Sequence, residues 1–310
     1  MYWQLPVNTS KQRSTQVIYQ LIKSTTMNLN NVLSEIEKVD ADVYDRLDTR
    51  RSALRNFANL GGKMALAAVP VAFGGLFKKA YAGTKSTADV FGILNYALTL
   101  EYLEAEFYAT SLMSNNLLPA GEVKNGIITI SKHETAHVNF LKTAITAAGG
   151  TPVAKPTFDF SGGKGSGNGP FKTAFTDLGL FLAVAQTFED TGVRAYKGRA
   201  AELVGGGDYL TAALQIHSVE ARHAAFIRLM RKNLGSGVGD LKPWITGKQS
   251  GINTSAVQPS YDGEELTTQA TINIININGF KISADAASEA FDEPLTPEAV
   301  LNIVSIFIVS

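Results

Sequence analysis

The chain has 310 residues, 45% of them hydrophobic, enough for one well-filled core and a small additional unit. It contains no cysteine, which excludes disulfides, iron–sulfur clusters, thiolate metal sites and cysteine nucleophiles. Formal charge is zero, but residues 1–82 carry 11 Lys/Arg against 6 Asp/Glu, leaving 17 against 22 in the remainder, a mildly acidic body with no footing for nucleic acid.

Residues 1–48 read as a weakly ordered extension, with Met27 as an alternative start. Over 49–82 a basic stretch with Arg50 and Arg51 precedes an apolar run from Met64 to Phe77 and the sequence Ala80-Tyr81-Ala82. That order is the order of an export signal of the twin-arginine type, with cleavage expected after Ala82. Pro70, Gly74 and Gly75 interrupt the apolar run, which is short of the ~20 residues that span a bilayer. The expected location is the periplasm or cell envelope, with membrane contact only through an uncleaved signal.

From Thr84 the pattern turns helical. Ser86 or Thr87 can cap a first helix over Val90–Ser114, which Asn115, Asn116 and Pro119 end. A second helix is expected from about Gly121 to Ala148, stopped by Gly149-Gly150. Residues 151–170 are rich in Pro and Gly and read as a long irregular connection. A third helix is expected from about Phe171 to Leu203, and a fourth, capped by Asp208, to Leu234. Short, long and short connections between four helices predict an all-α bundle over 83–239 with one crossover between helices two and three. Residues 240–310 form a C-terminal extension expected to pack on the bundle. It has a short strand or hairpin at Thr271–Asn278, with Asn278-Gly279 as the turn, and a terminal helix over Ala299–Val309 that Thr296 caps and Pro297 opens.

The chemistry lies in a repeat. Glu134 and His137 stand three residues apart, as do Glu220 and His223, and each His is followed three residues later by Phe140 or Phe226. Positions i and i+3 share a helix face, so each segment aims one carboxylate and one imidazole the same way. Glu101 precedes Tyr108 by seven residues and Glu189 precedes Tyr196 by seven, two turns along one face. The chain thus carries two copies of one helix pair. Glu101, Glu134, Glu189 and Glu220 all sit on apolar stripes. Four buried carboxylates facing one another would cost several kcal/mol each unless cations meet them. Two divalent ions would balance the four negative charges, and neutral imidazoles would complete the ligand set. Oxygen and nitrogen donors without sulfur suit iron, manganese or zinc.

These residues resemble the ferritin-like diiron-carboxylate proteins, such as bacterioferritin and rubrerythrin, which take one Glu from each of two helices and Glu-x-x-His from the other two. With the export signal and the terminal FDEPLTPEAV segment, the chain looks closest to exported bacterial ferritin-like-domain proteins. The resemblance implies Glu101, Glu134, His137, Glu189, Glu220 and His223 as metal ligands, with Glu134 and Glu220 bridging and Glu101 and Glu189 terminal. It implies two divalent ions, iron first and manganese second, and redox chemistry with oxygen or peroxide. The alternative is a non-catalytic metal-containing envelope or stress-protection scaffold. Glu104, Tyr108, Tyr196 and His217 are candidates to hydrogen-bond the ligands, Glu104 being also the rival of Glu101. His133 is expected to point away as a structural residue, and Glu106 and Asp190 to be solvated. A monomer or small homo-oligomer is expected, because the crossover and the tail leave little room for a storage cage.

Overall fold

The computed structural model describes residues 87–204, 208–237 and 239–309. The signal segment and the N-terminal extension lie outside these residues. Four long helices form the bundle: α1 (Thr87–Met113), α2 (Glu122–Ala147), α3 (Leu178–Ala200) and α4 (Asp208–Asn233). α2 stops where Gly149 adopts φ +91°, and Gly150 N–H donates back to the Ile145 carbonyl at 2.9 Å. α1 packs chiefly on α2, and α3 on α4. Among the described residues, no helix is long and apolar enough to cross a membrane.

α3 begins seven residues later than its periodicity suggests. Asp177 is its N-cap, accepting from Leu180 N–H at 3.1 Å, and residues 171–176 turn instead of coiling. Phe171, whose apolar character extends the helical pattern backwards, stacks on Phe307 of the C-terminal segment with centroids 5.6 Å apart. Tertiary packing thus claims a side chain that local pattern assigns to the helix.

The C-terminal segment covers the outer face of α3, where every residue from Phe181 to Tyr196 is buried. A short antiparallel pair, β1 (Thr268–Gln269) and β2 (Ile272–Asn273), turns through Ala270 and Thr271. The hairpin exists, but its turn is not at Asn278-Gly279. Asn276 and Asn278 take φ +55° and +53° and break the Ile-rich run after two paired residues, because Asn tolerates the left-handed region. A one-turn helix α5 (Ala284–Ser288) follows, then α6 (Pro297–Val304), with the Thr296 hydroxyl capping Ala299 N–H as expected. Val300, Val304 and Phe307 are buried, and Phe158 of the crossover bridges Ile308. The segment comes close to α3 at Gly198, where a Cβ would lie 2.1 Å from the Leu295 carbonyl oxygen.

Three buried arginines fix this cover. Arg228 of α4 meets the Asp190 carboxylate through Nε (3.1 Å) and Nη2 (2.5 Å), and Tyr261 donates to the same Asp at 2.9 Å. Arg194 pairs with Glu264 at 2.6 Å and donates to the Ser260, Asp262 and Glu293 carbonyls. Arg231 binds the Gln186 side chain and the Ser236 and Gly251 carbonyls. Asp190 is therefore buried, not solvated. It faces outward from the bundle as its spacing implies, but that face is roofed by the C-terminal segment. Glu106 is half-buried and pairs with Lys155 of the crossover.

Candidate metal centre

Mid-bundle, between two apolar clusters, the side chains of Glu101, Glu134, Glu189 and Glu220 are fully buried, with His137 and His223 nearly so. Two groups of donor atoms converge there. One is Glu101, Glu134, His137 and Glu220; the other is Glu134, Glu189, Glu220 and His223. Within each group one donor atom from every residue lies within 4.8 Å of the others. Glu134 and Glu220 belong to both groups.

His137 Nδ1 stands 3.1 Å from an oxygen of each of Glu101, Glu134 and Glu220. His223 Nδ1 stands 2.9, 3.3 and 3.6 Å from oxygens of Glu134, Glu189 and Glu220. Those around His223 are approaches without hydrogen-bond geometry. Glu134 Oε1, Glu189 Oε2, both Glu220 oxygens and His223 Nδ1 are buried with no hydrogen-bond partner. Buried polar atoms are rarely left so. Lone pairs aimed at a common point, rather than at one another's protons, are what a cation requires. The donor set therefore fits divalent metal ions, and carboxylates and imidazoles without sulfur suit iron, manganese and zinc alike.

The remaining oxygens of the outer two carboxylates are held by tyrosines. Tyr108 donates to Glu189 Oε1 and Tyr196 donates to Glu101 Oε1. Each Tyr shares a helix face with one Glu but serves the Glu of the other half, crossing from α1 to α3 and back. Replacing Tyr196 by Phe leaves Glu101 Oε1 without its donor. Metal affinity at the Glu101/His137 group is expected to fall roughly 10- to 100-fold, with the other group unchanged, as read by competition with a chelator.

Glu104 lies outside both donor groups but is buried, 3% exposed. Burial first, and the Glu220 and Glu189 charges second, hold its carboxyl well above the usual range. Its partner position by the internal repeat is Gly192, where a Cβ would meet Glu104 Oε1 at 3.3 Å, so the glycine leaves it room. His217 is turned to the backbone, its Nδ1 2.9 Å from the Val193 carbonyl, and joins neither group.

His133 departs from expectation. Its Nδ1 lies 2.9 Å from His223 Nε2, and the rings stack with centroids 5.2 Å apart and planes 15° apart. It is exposed, so it links His223 to solvent. The signal was present in the spacing: His133 precedes His137 by four residues and so shares its face.

Without cations the cluster holds protons. Burial opposes charge on His223, but Glu189, Glu134 and Glu220 outweigh it and push its pKa up to about 12. Burial and the Glu220 charge raise Glu101 to about 8 against the pull of His137. Burial also opposes ionisation of Glu220, but His137 and His223 lower it to about 2. Ligation requires these protons to leave. The raised groups, with His137 and Glu189 among them, hold protons at pH 7, so metal binding would release protons and affinity would rise with pH. The Glu101 contribution fades above about pH 8, while that of His223 persists. Calorimetric titration with metal in buffers of different ionisation heat is expected to show fewer protons released at pH 9 than at pH 7.

The sequence of residues 89–233 matches the ferritin-like domain family. These residues are a ferritin-like domain. The match begins near the start of α1 and ends with α4, so it contains every donor of the two groups and stops where the C-terminal segment begins. None of the curated proteins compared with the chain matches it.

Proposed function

We propose that this ferritin-like domain holds two divalent ions, iron in the first place and manganese in the second, and uses them for redox chemistry with oxygen or peroxide. The observation that carries the reading is the sharing of Glu134 and Glu220 between two donor groups whose oxygens and His223 Nδ1 lack hydrogen-bond partners. In this reading His137 with Glu101 holds one ion, His223 with Glu189 holds the other, and Glu134 and Glu220 lie between them. Bound there, such ions would supply one-electron steps and a place for a small oxidant. Tyr108 and Tyr196 orient the outer carboxylates, and apolar clusters flank the centre along the bundle.

The sequence signal at 49–82 supports export through the twin-arginine route to the periplasm or cell envelope, the folded domain carrying its ions with it. The reading is tested by metal content of protein from its own cell envelope and by turnover of dioxygen and hydrogen peroxide. About two ions per chain with turnover of either oxidant is expected. A loaded protein inert to both would leave the non-catalytic scaffold, and a metal-free protein that refuses iron and manganese would refute both readings.

A further inference from the structure

The two ends of the bundle repeat each other in sequence but not in packing. At one end Tyr108 and Glu189 are sealed by aromatic rings: Phe107 lies 5.0 Å from both Phe181 and Phe188, and Phe160 and Phe175 close over it. At the other end, around Tyr196 and Glu101, the start of α1, the end of α2, the end of α3 and the start of α4 enclose a cavity of about 20 Å³. Its wall is almost wholly hydrocarbon and aromatic, including Leu94, Leu100, Ala144, Ala195 and Ile216, with Tyr196 itself on one side. By the repeat, Ala195 stands where the sealed end has Phe107, and Ala144 where it has Met230.

The volume suffices for one molecule of water size, but the wall does not suit water, which needs two to four polar partners. Tyr196 turns its hydroxyl to Glu101, and Arg199 pairs with Glu202 at 2.7 Å. Tyr96 Oη and Arg199 Nε are buried without hydrogen-bond partners, but the polar atoms of the wall open almost no surface into the cavity. A small apolar molecule fits the whole wall.

We propose that this cavity binds an apolar molecule of dioxygen's size and delivers dioxygen to the Glu101/His137 group past Tyr196. The proposal rests on the redox reading above. It makes the two donor groups unequal in access. The Glu189/His223 group is reached instead by an open groove of about 420 Å³ between α2 and α4, where Glu122, Asn125, Thr129 and His223 stand beside Gly126, Ile130 and Phe226, a solvent-facing route that admits water and peroxide. Dry and wet approaches thus enter at opposite ends of the centre.

The test uses the folded, full-length protein. Crystals pressurised with xenon are expected to show one xenon atom among Leu100, Ala144, Ala195 and Tyr196. Ala144→Leu, and the milder Ala213→Val on the same wall, are each expected to exclude or weaken xenon binding. In iron(II)-loaded protein they should slow oxidation by dioxygen roughly tenfold or more, and leave oxidation by hydrogen peroxide unchanged, because peroxide enters by the groove. Ordered water in the cavity with no xenon overturns the proposal. So does a filled variant, folded as wild type, that reacts with dioxygen at the wild-type rate. A wild-type protein unreactive toward dioxygen overturns the redox reading and the delivery route together, whereas a reactive wild type beside indifferent filled variants overturns the route alone.

Discussion

A chain carrying both Glu134→Ala and Glu220→Ala is expected to bind no metal, whereas Glu101→Ala or Glu189→Ala alone retains roughly half of the wild-type content. The difference follows from membership. Glu134 and Glu220 each supply an oxygen to both donor groups, while Glu101 and Glu189 each serve one. Stability reports the same thing independently. A ligand that binds only the folded state stabilises by RT ln(1 + [L]/Kd), about 2.7 kcal/mol when metal stands 100-fold above Kd. Melting of the wild type should therefore rise on adding iron(II) or manganese(II) and fall back with chelator. The double variant should melt at one temperature in both conditions. Metal content read by mass spectrometry, together with the melting shift, decides it. A double variant that keeps both its metal and its shift would place the ligands elsewhere.

The second large effect concerns the C-terminal cover. Asp190→Ala leaves Arg228, 1% exposed, as a buried charge without its carboxylate, and removes the acceptor of the Tyr261 hydroxyl. Breaking one side of a buried pair costs about 3–5 kcal/mol. Denaturant unfolding should show that loss, and limited proteolysis should cut within 240–309 before the four helices are cut. Replacing both partners by apolar residues of similar volume, Asp190→Leu with Arg228→Met, should recover most of the stability, because no charge is then stranded. Cleavage of the helices and the C-terminal segment at the same rate in Asp190→Ala would show that the cover does not rest on this pair.

The same pair shows where sequence reading stops. The spacing of Asp190 places it off the Glu189 stripe, and it does leave the bundle interior. Whether that outer face meets water is decided by a segment some seventy residues further on, through Tyr261, and by Arg228 of α4. Phe171 makes the same point for a helix boundary: its apolar character continues the pattern of α3, but Phe307 holds it outside. The hairpin of the extension was visible as an Ile-rich alternation. Its turn was not, because asparagine backbones in the left-handed region shortened the pairing.

At the donor cluster the periodicity carried further. The inward direction of the four carboxylates and two imidazoles depends on helix geometry, which is local and reads directly from intervals of three, four and seven residues. The tyrosines lie on the expected faces by the same arithmetic. Their exchange of partners, Tyr108 with Glu189 and Tyr196 with Glu101, depends on how α1 passes α3. The stack of His133 on His223 depends on how α2 passes α4.

By itself the sequence determined four helices, a long crossover, and two matched sets of acids and imidazoles facing inward, because each of these follows from spacing along one helix. Only the tertiary structure decided which oxygens share a neighbour, that the outer face of α3 is roofed, and that one end of the bundle is filled with aromatic rings while the other keeps a cavity. Those outcomes depend on the shapes of side chains brought together from distant segments, and packing at that range leaves no periodic trace in the chain.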